Sequence, residues 1–217
     1  MASDSAPSVP RGRHAPPLEV RLERQRARLF AAAAAVFARV GYAEASAEAI
    51  SREAGMSKAT FYEHFDNKED CIVALHDDAT RAVLEAMRRT GDEHGGDTAG
   101  RVRAVIHTFL EVLAAFPDEA QTLLVEIIGA GPRAMERRDR VLADYASYVD
   151  DVNREDAARY GVVRLASPHD AFAIVGAVIE LASRQIRTGE PDDIRDLEPV
   201  VERLVLGLMH AADAAPA

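Results

Sequence analysis

The sequence contains a single cysteine, Cys71, which excludes an intrachain disulfide and any zinc site built from several thiolates. No window reaches the roughly eighteen uninterrupted apolar residues of a membrane span, and the first residues lack the apolar stretch of a secretory signal, so a cytoplasmic location is expected. Sustained period-two alternation is missing too, which leaves no basis for a sheet; the one β-like run, Gly161 to Leu165, reads as a connector. There is no internal repeat. The sequence has no His-Glu-x-x-His, Walker-type phosphate loop, nucleophile elbow or Gly-x-Gly-x-x-Gly, so nothing in it calls for an enzymatic reaction, a metal or a cofactor. Lysine is nearly absent: of 26 basic residues only Lys58 and Lys68 are lysines.

What is present is the mixture of a globular protein, 48% apolar and 29% charged over 217 residues. The net charge of −10 is unevenly spread, with +2 on residues 1–64 and −12 on the remainder. An acidic body turns a mildly basic N-terminal part toward polyanions. Residues 1–20 hold four prolines and no helical or strand period, and are expected to form a disordered arm, with Arg11 and Arg13 on a solvated tail.

From residue 21 the pattern is helical. Leu29, Ala33, Val36, Phe37 and Val40 recur along one face, and Gly41 supplies a stop. Ser46 caps a short second helix, Ala47 to Ala54, with Ile50 facing in. Ser57 caps a third, Lys58 to His64, with Phe61 and Phe65 one turn apart on its inner side. Two short helices joined by Gly-Met-Ser form a helix-turn-helix signature. Lys58, Ala59, Thr60, Tyr62 and His64 then stand on the open side of the third helix, as a base-reading helix requires. Ser46 offers its hydroxyl and the helix's free amides to a phosphate.

The stretch Ala47 to Leu75, AEAISREAGMSKATFYEHFDNKEDCIVAL, resembles the DNA-binding head of the TetR family of bacterial regulators. The likeness rests on Ile50, the Ala-Gly-Met-Ser turn at 54–57, the Phe-Tyr-x-His-Phe run at 61–65, and Lys68 two residues after a capping Asp66. It implies that Lys58, Ala59 and Thr60 lie nearest the bases and that Tyr62, His64 and Lys68 meet phosphates. It also implies a homodimer reading a palindromic operator in double-stranded DNA, often released when the body binds a small molecule.

The expected architecture is all-α: a three-helix head over 21–66 and a helical ligand-binding and dimerisation body over 67–217. Helices are expected at about 101–115, 118–129, 133–160, 168–188 and 192–212, with a loop from Gly91 to Gly100. His94, among Asp92, Glu93 and Asp97, reads as part of that solvated loop, and Cys71 as packing. Wide apolar faces in the body point to an effector cavity of about 300 Å³ or more between the fourth to eighth helices. His107, Phe109, Phe116, Glu126, Tyr145 and Tyr148 are its candidate contacts. The last two helices carry the expected dimer interface, with Phe172, Val175, Gly176, Ile179, Leu197, Val201, Leu204 and Leu208 as stripes and an ion pair between Glu180 and Arg184. The reading is therefore a ligand-responsive DNA-binding repressor. Its alternative is an effector-less DNA-binding dimer controlled by a protein partner or by abundance.

Overall fold

Helix boundaries fall where polar caps and prolines put them. The computed structural model describes residues 17–94 and 96–213, and every regular element among them is helical. Helix α1 (Leu18–Glu44) precedes the short α2 (Ala47–Glu53) and α3 (Lys58–His64). The body follows as α4 (Lys68–Glu93), α5 (Thr98–Ala115), α6 (Pro117–Leu124), a 3-10 turn at Glu126–Gly129, α7 (Pro132–Tyr160), α8 (Pro168–Thr188), a second 3-10 turn at Ile194–Leu197, and α9 (Glu198–Asp213). Ser46 and Ser57 accept from the backbone amides of Ala49 and Thr60, satisfying donors that a helix start leaves unpaired. Prolines open α6, α7 and α8, where a missing N–H costs nothing.

Four expectations are corrected. Helix α1 begins at Leu18, inside the expected arm, whose residues 1–16 lie outside the described residues. Gly41 breaks α1 without ending it: at φ 78° and ψ 158° it turns the chain, and one further turn runs on to Glu44. Asn67, not Asp66, caps α4, because its side chain accepts from Asp70 N. Helix α4 also continues through Gly91, which is buried against Tyr148, so the loop before α5 is only a few residues long.

Two apolar cores result. In the head, Leu29, Val36, Phe37, Ile50 and Phe61 are fully buried together. That core also takes in Cys71, Ile72 and Leu75 from α4 and Ile127, Ala130 and Ala134 from beyond α6, so it extends past residue 66 into the body. The second core lies among α4 to α9. Polar contacts lock the two across the junction. Glu126 Oε2 accepts the backbone N–H of Tyr42 at 2.7 Å, directly after the Gly41 break, while its Oε1 accepts from Gln121 at 2.9 Å. Arg133 pairs with Asp70 at 2.6 Å, and Arg137 with Asp77. No helix among the described residues is long and apolar enough to cross a membrane.

Candidate DNA-binding face and effector cavity

The head presents α3 with its aromatic side turned in. Phe61 and Phe65 pack 5.4 Å apart, Phe65 lies 5.7 Å from Phe30, and the Arg26 guanidinium sits 5.0 Å and 5.2 Å from the Phe30 and Phe65 rings. Arg28 donates to Ala54 O at 2.7 Å and closes the end of α2. Both arginines lie in a helix whose sequence shows only an apolar stripe, so their roles were not legible beforehand.

On the outer side Lys58, Ala59 and Ser46 are exposed, Tyr62 is 49% exposed, and Thr60 is half-buried with its hydroxyl 2.9 Å from that of Ser57. Lys58 Nζ lies 5.9 Å from the Tyr62 ring, so the cation and the phenol share one surface. His64 differs from its neighbours. Its Nε2 is buried with no partner among the described residues, and its pKa is lowered first by burial and then by Arg26, so the ring carries little cationic character to a phosphate.

Lys68 stands in a place the sequence did not suggest. Its ammonium donates to the carbonyls of Tyr42, Ala43 and Ala45 at 2.6, 3.1 and 3.0 Å, using all three protons inside the fold. It also lies 4.2 Å from the Tyr42 ring. Burial lowers its pKa, with Glu44 opposing. The geometry makes Lys68 the clasp of the α1–α2 corner, where the resemblance implies a phosphate contact.

In the body, α5, α7, α8 and α9, with Met87 of α4, line a half-open cavity of about 130 Å³. It is smaller than expected, and its aromatic lining comes from Phe109 on α5 and from Tyr145 and Tyr148 on α7. Helix α9 completes the wall through Val201, Val205 and Met209, whereas α6 contributes nothing to it. Three of the six candidate contacts, Phe109, Tyr145 and Tyr148, are brought together here. The other three are not. His107 is exposed and pairs with Glu198 at 3.2 Å, Phe116 is exposed, and Glu126 serves the head–body junction.

The sequence also gave no sign of the cavity's polar end. Arg101 and Asp156, with side chains 11% and 3% exposed, pair at 2.6 Å beside Thr98, whose hydroxyl donates to Asp156 Oδ2 at 3.2 Å. Arg101 Nε also donates to Gly91 O at 2.8 Å. These groups satisfy one another, so the rest of the wall stays apolar. Cys71 is fully buried and its thiol is pushed up to about 12 by burial, which leaves it protonated and inert.

The expected interface stripes divide. Val175, Ala182, Leu197 and Val201 are buried within this chain's own core, and Ile179 lines its cavity. Gly176, Leu204 and Leu208 are half-buried. The outward face carries Phe172, one of the expected stripe residues, 48% exposed, and Val200, 40% exposed. Arg184 is exposed, and Glu180 pairs at 2.9 Å with Arg187, two turns on, in place of Arg184.

Residues 29–75 match the family described as bacterial regulatory proteins, tetR family. The whole fold is similar to the fatty acid degradation regulator FadR from Bacillus halodurans, with a TM-score of 0.77 at 21% identity over 84% of this chain and 95% of that one. It is similar as well to the transcriptional regulator FadR from Bacillus subtilis, solved in complex with stearoyl-CoA, with a TM-score of 0.71 at 20% identity over 83% of this chain and 98% of that one. A transcriptional regulator from Pseudomonas aeruginosa PAO1 superimposes with a TM-score of 0.72 at 23% identity, covering 89% and 97% of the two chains.

Proposed function

We propose that this chain, whose residues 29–75 match the tetR family of bacterial regulatory proteins, is a DNA-binding regulator of that kind: a homodimeric, effector-released repressor acting in the cytoplasm on a palindromic operator. The observation that carries this reading is the pairing of an exposed α3 surface with an apolar cavity in the same chain. Lys58, Ala59 and Thr60 read base edges in the major groove, and Ser46, Tyr62 and the outer edge of His64 hold phosphates. The head extends from α1 to the start of α4, and the remainder forms the effector and dimerisation body.

The effector occupies the body cavity. The Bacillus subtilis FadR, similar in fold, was solved with stearoyl-CoA, a ligand with a long apolar tail. The nearly apolar wall here suits a hydrocarbon portion of an effector, whose binding favours a head spacing that no longer fits two successive grooves. A second copy packs on the outward face of α8 and α9 through Phe172 and Val200, where Gly176 and Gly207 have open space above them.

The test combines sedimentation with operator titration. Phe172→Glu is expected to give monomers with weak operator binding. Thr60→Ala is expected to change which half-site is preferred while the dimer stays intact. A tight dimer after the first change refutes the interface, and equal weakening on specific and random duplexes after the second refutes the base-reading role.

A further inference from the structure

A second, smaller space continues the cavity toward the head. It has a volume of about 30 Å³, and Phe109, Tyr145 and Ile179 line both spaces. Along α5 the larger space runs from Thr98 to Phe109 and the smaller from Phe109 to Leu113; along α7 they run from Asp156 to Tyr145 and from Tyr145 to Arg138. The two therefore stand end to end, spanning about 22 Å along α5 at the helical rise. Phe109, Tyr145 and Ile179 stand where the two meet, with the Tyr145 hydroxyl donating to Thr80 O at 3.0 Å.

At the inner end is His76, 3% exposed, with a buried Nδ1 that has no hydrogen-bond partner among the described residues. The opposite end of the slot is already satisfied by Arg101, Asp156 and Thr98. A buried polar atom without a partner is costly, and a ligand atom that supplies one gains correspondingly. We propose that His76 is the polar anchor of the effector site, taking a ligand with an apolar body and one uncharged hydroxyl or carbonyl oxygen placed at Nδ1. This rests on the reading of the cavity as the effector site.

The His76 ring itself favours an uncharged group. Burial holds the His76 pKa down to about 4, with Asp77 opposing and Arg137 and Arg138 assisting, so the ring is neutral near pH 7 and offers no ion pair. Arg137 is engaged by Asp77, while Arg138, which also borders the space, is partly open to solvent with Asp139 at 3.8 Å. The space is large enough for a small functional group, since about 10–15 Å³ by the same measure already holds a water molecule. His76 adjoins Leu75, a member of the head core, so a ligand held there bears on the part of α4 that enters the head.

The experiment uses the full chain and three probes, 1-octanol, octane and octanoate, followed by calorimetry and by 15N resonances of labelled histidine. The proposal expects 1-octanol to shift the His76 Nδ1 resonance while octane leaves it in place. It also expects His76→Leu to weaken 1-octanol about tenfold, as for loss of one buried hydrogen bond, with octane unchanged or tighter. The resonance reading needs no variant, so it stands even where His76→Leu folds poorly. Octanoate binding as tightly as 1-octanol overturns the proposal, as does 1-octanol binding that leaves both the resonance and the variant's affinity unmoved. If none of the probes binds, the cavity reading falls with it. A 1-octanol complex that engages His76 but leaves operator affinity intact supports the anchor and refutes only the effector role.

Discussion

Replacing Lys68 by methionine keeps most of the stem's volume and removes the three bonds to Tyr42, Ala43 and Ala45. Hydrogen bonds to a charged group contribute about 1.5 to 3 kcal/mol each. Here one charge is shared among three acceptors and the Ala43 carbonyl is open to water, so the net loss should be near the value of a single strong bond, about 2 to 3 kcal/mol. For a chain of this size that lowers Tm by roughly 5 to 10 °C. Operator affinity should fall as well, because the corner between α1 and α2 sets where α3 sits. The salt dependence separates this role from phosphate binding. A lysine on each subunit's phosphate contributes nearly one unit to the log-log slope, so losing two per dimer would flatten it by about two. With all three protons committed inside the fold, Lys68→Met should leave the slope within about half a unit of the unchanged protein. The assay is a thermal melt together with operator titrations at several salt concentrations. An unshifted Tm with a slope flatter by two would show that the ammonium reaches DNA and that the clasp is misassigned.

Two further outcomes follow from buried polar groups. His76 has a folded pKa of about 4 against an ordinary 6.5, so its neutral form is favoured on folding; its contribution is whole above pH 6.5 and is lost as pH falls toward 4. Between pH 7 and 4.5 that amounts to about 2 to 3 kcal/mol, so urea denaturation of His76→Leu should show correspondingly less acid sensitivity, and an identical pH profile would refute the burial of that ring. At the other end of the slot, Asp156→Ala strands the Arg101 charge and should destabilise by about 3 to 5 kcal/mol, whereas Arg101→Met with Asp156→Leu should recover most of it, since an apolar pair does not leave a buried charge uncompensated. A double variant no more stable than Asp156→Ala would show that the pair's hydrogen bonds, and not the stranded charge, dominate.

The helices were legible because their signals are local. Ser46 and Ser57 announce helix starts through amides only three residues away, and Phe61 and Phe65 mark the inner side of α3 by a spacing of four. What the sequence hid is set by groups far apart in the chain. Lys68 matched a motif position, but its three acceptors lie 23 to 26 residues earlier, on carbonyls that every sequence possesses and none advertises. Asp156 stands in a run of charged residues that reads as a solvated face, and only the fold brings Arg101 across 55 residues to meet it. The stripe on α8 divides for a related reason. Apolar spacing identifies a face that must be covered without saying by what, and Val175 and Ile179 are covered by this chain's own α5 and α7 around the cavity, which leaves the outward face to Phe172. His76 was the exception that spacing could have found. It lies four residues after Ile72 and seven before Val83, on the buried side of α4, where a titratable ring breaks the apolar pattern. A polar residue in such a stripe is either satisfied by the fold or kept for something that enters it, and the unpartnered Nδ1 beside a cavity favours the second.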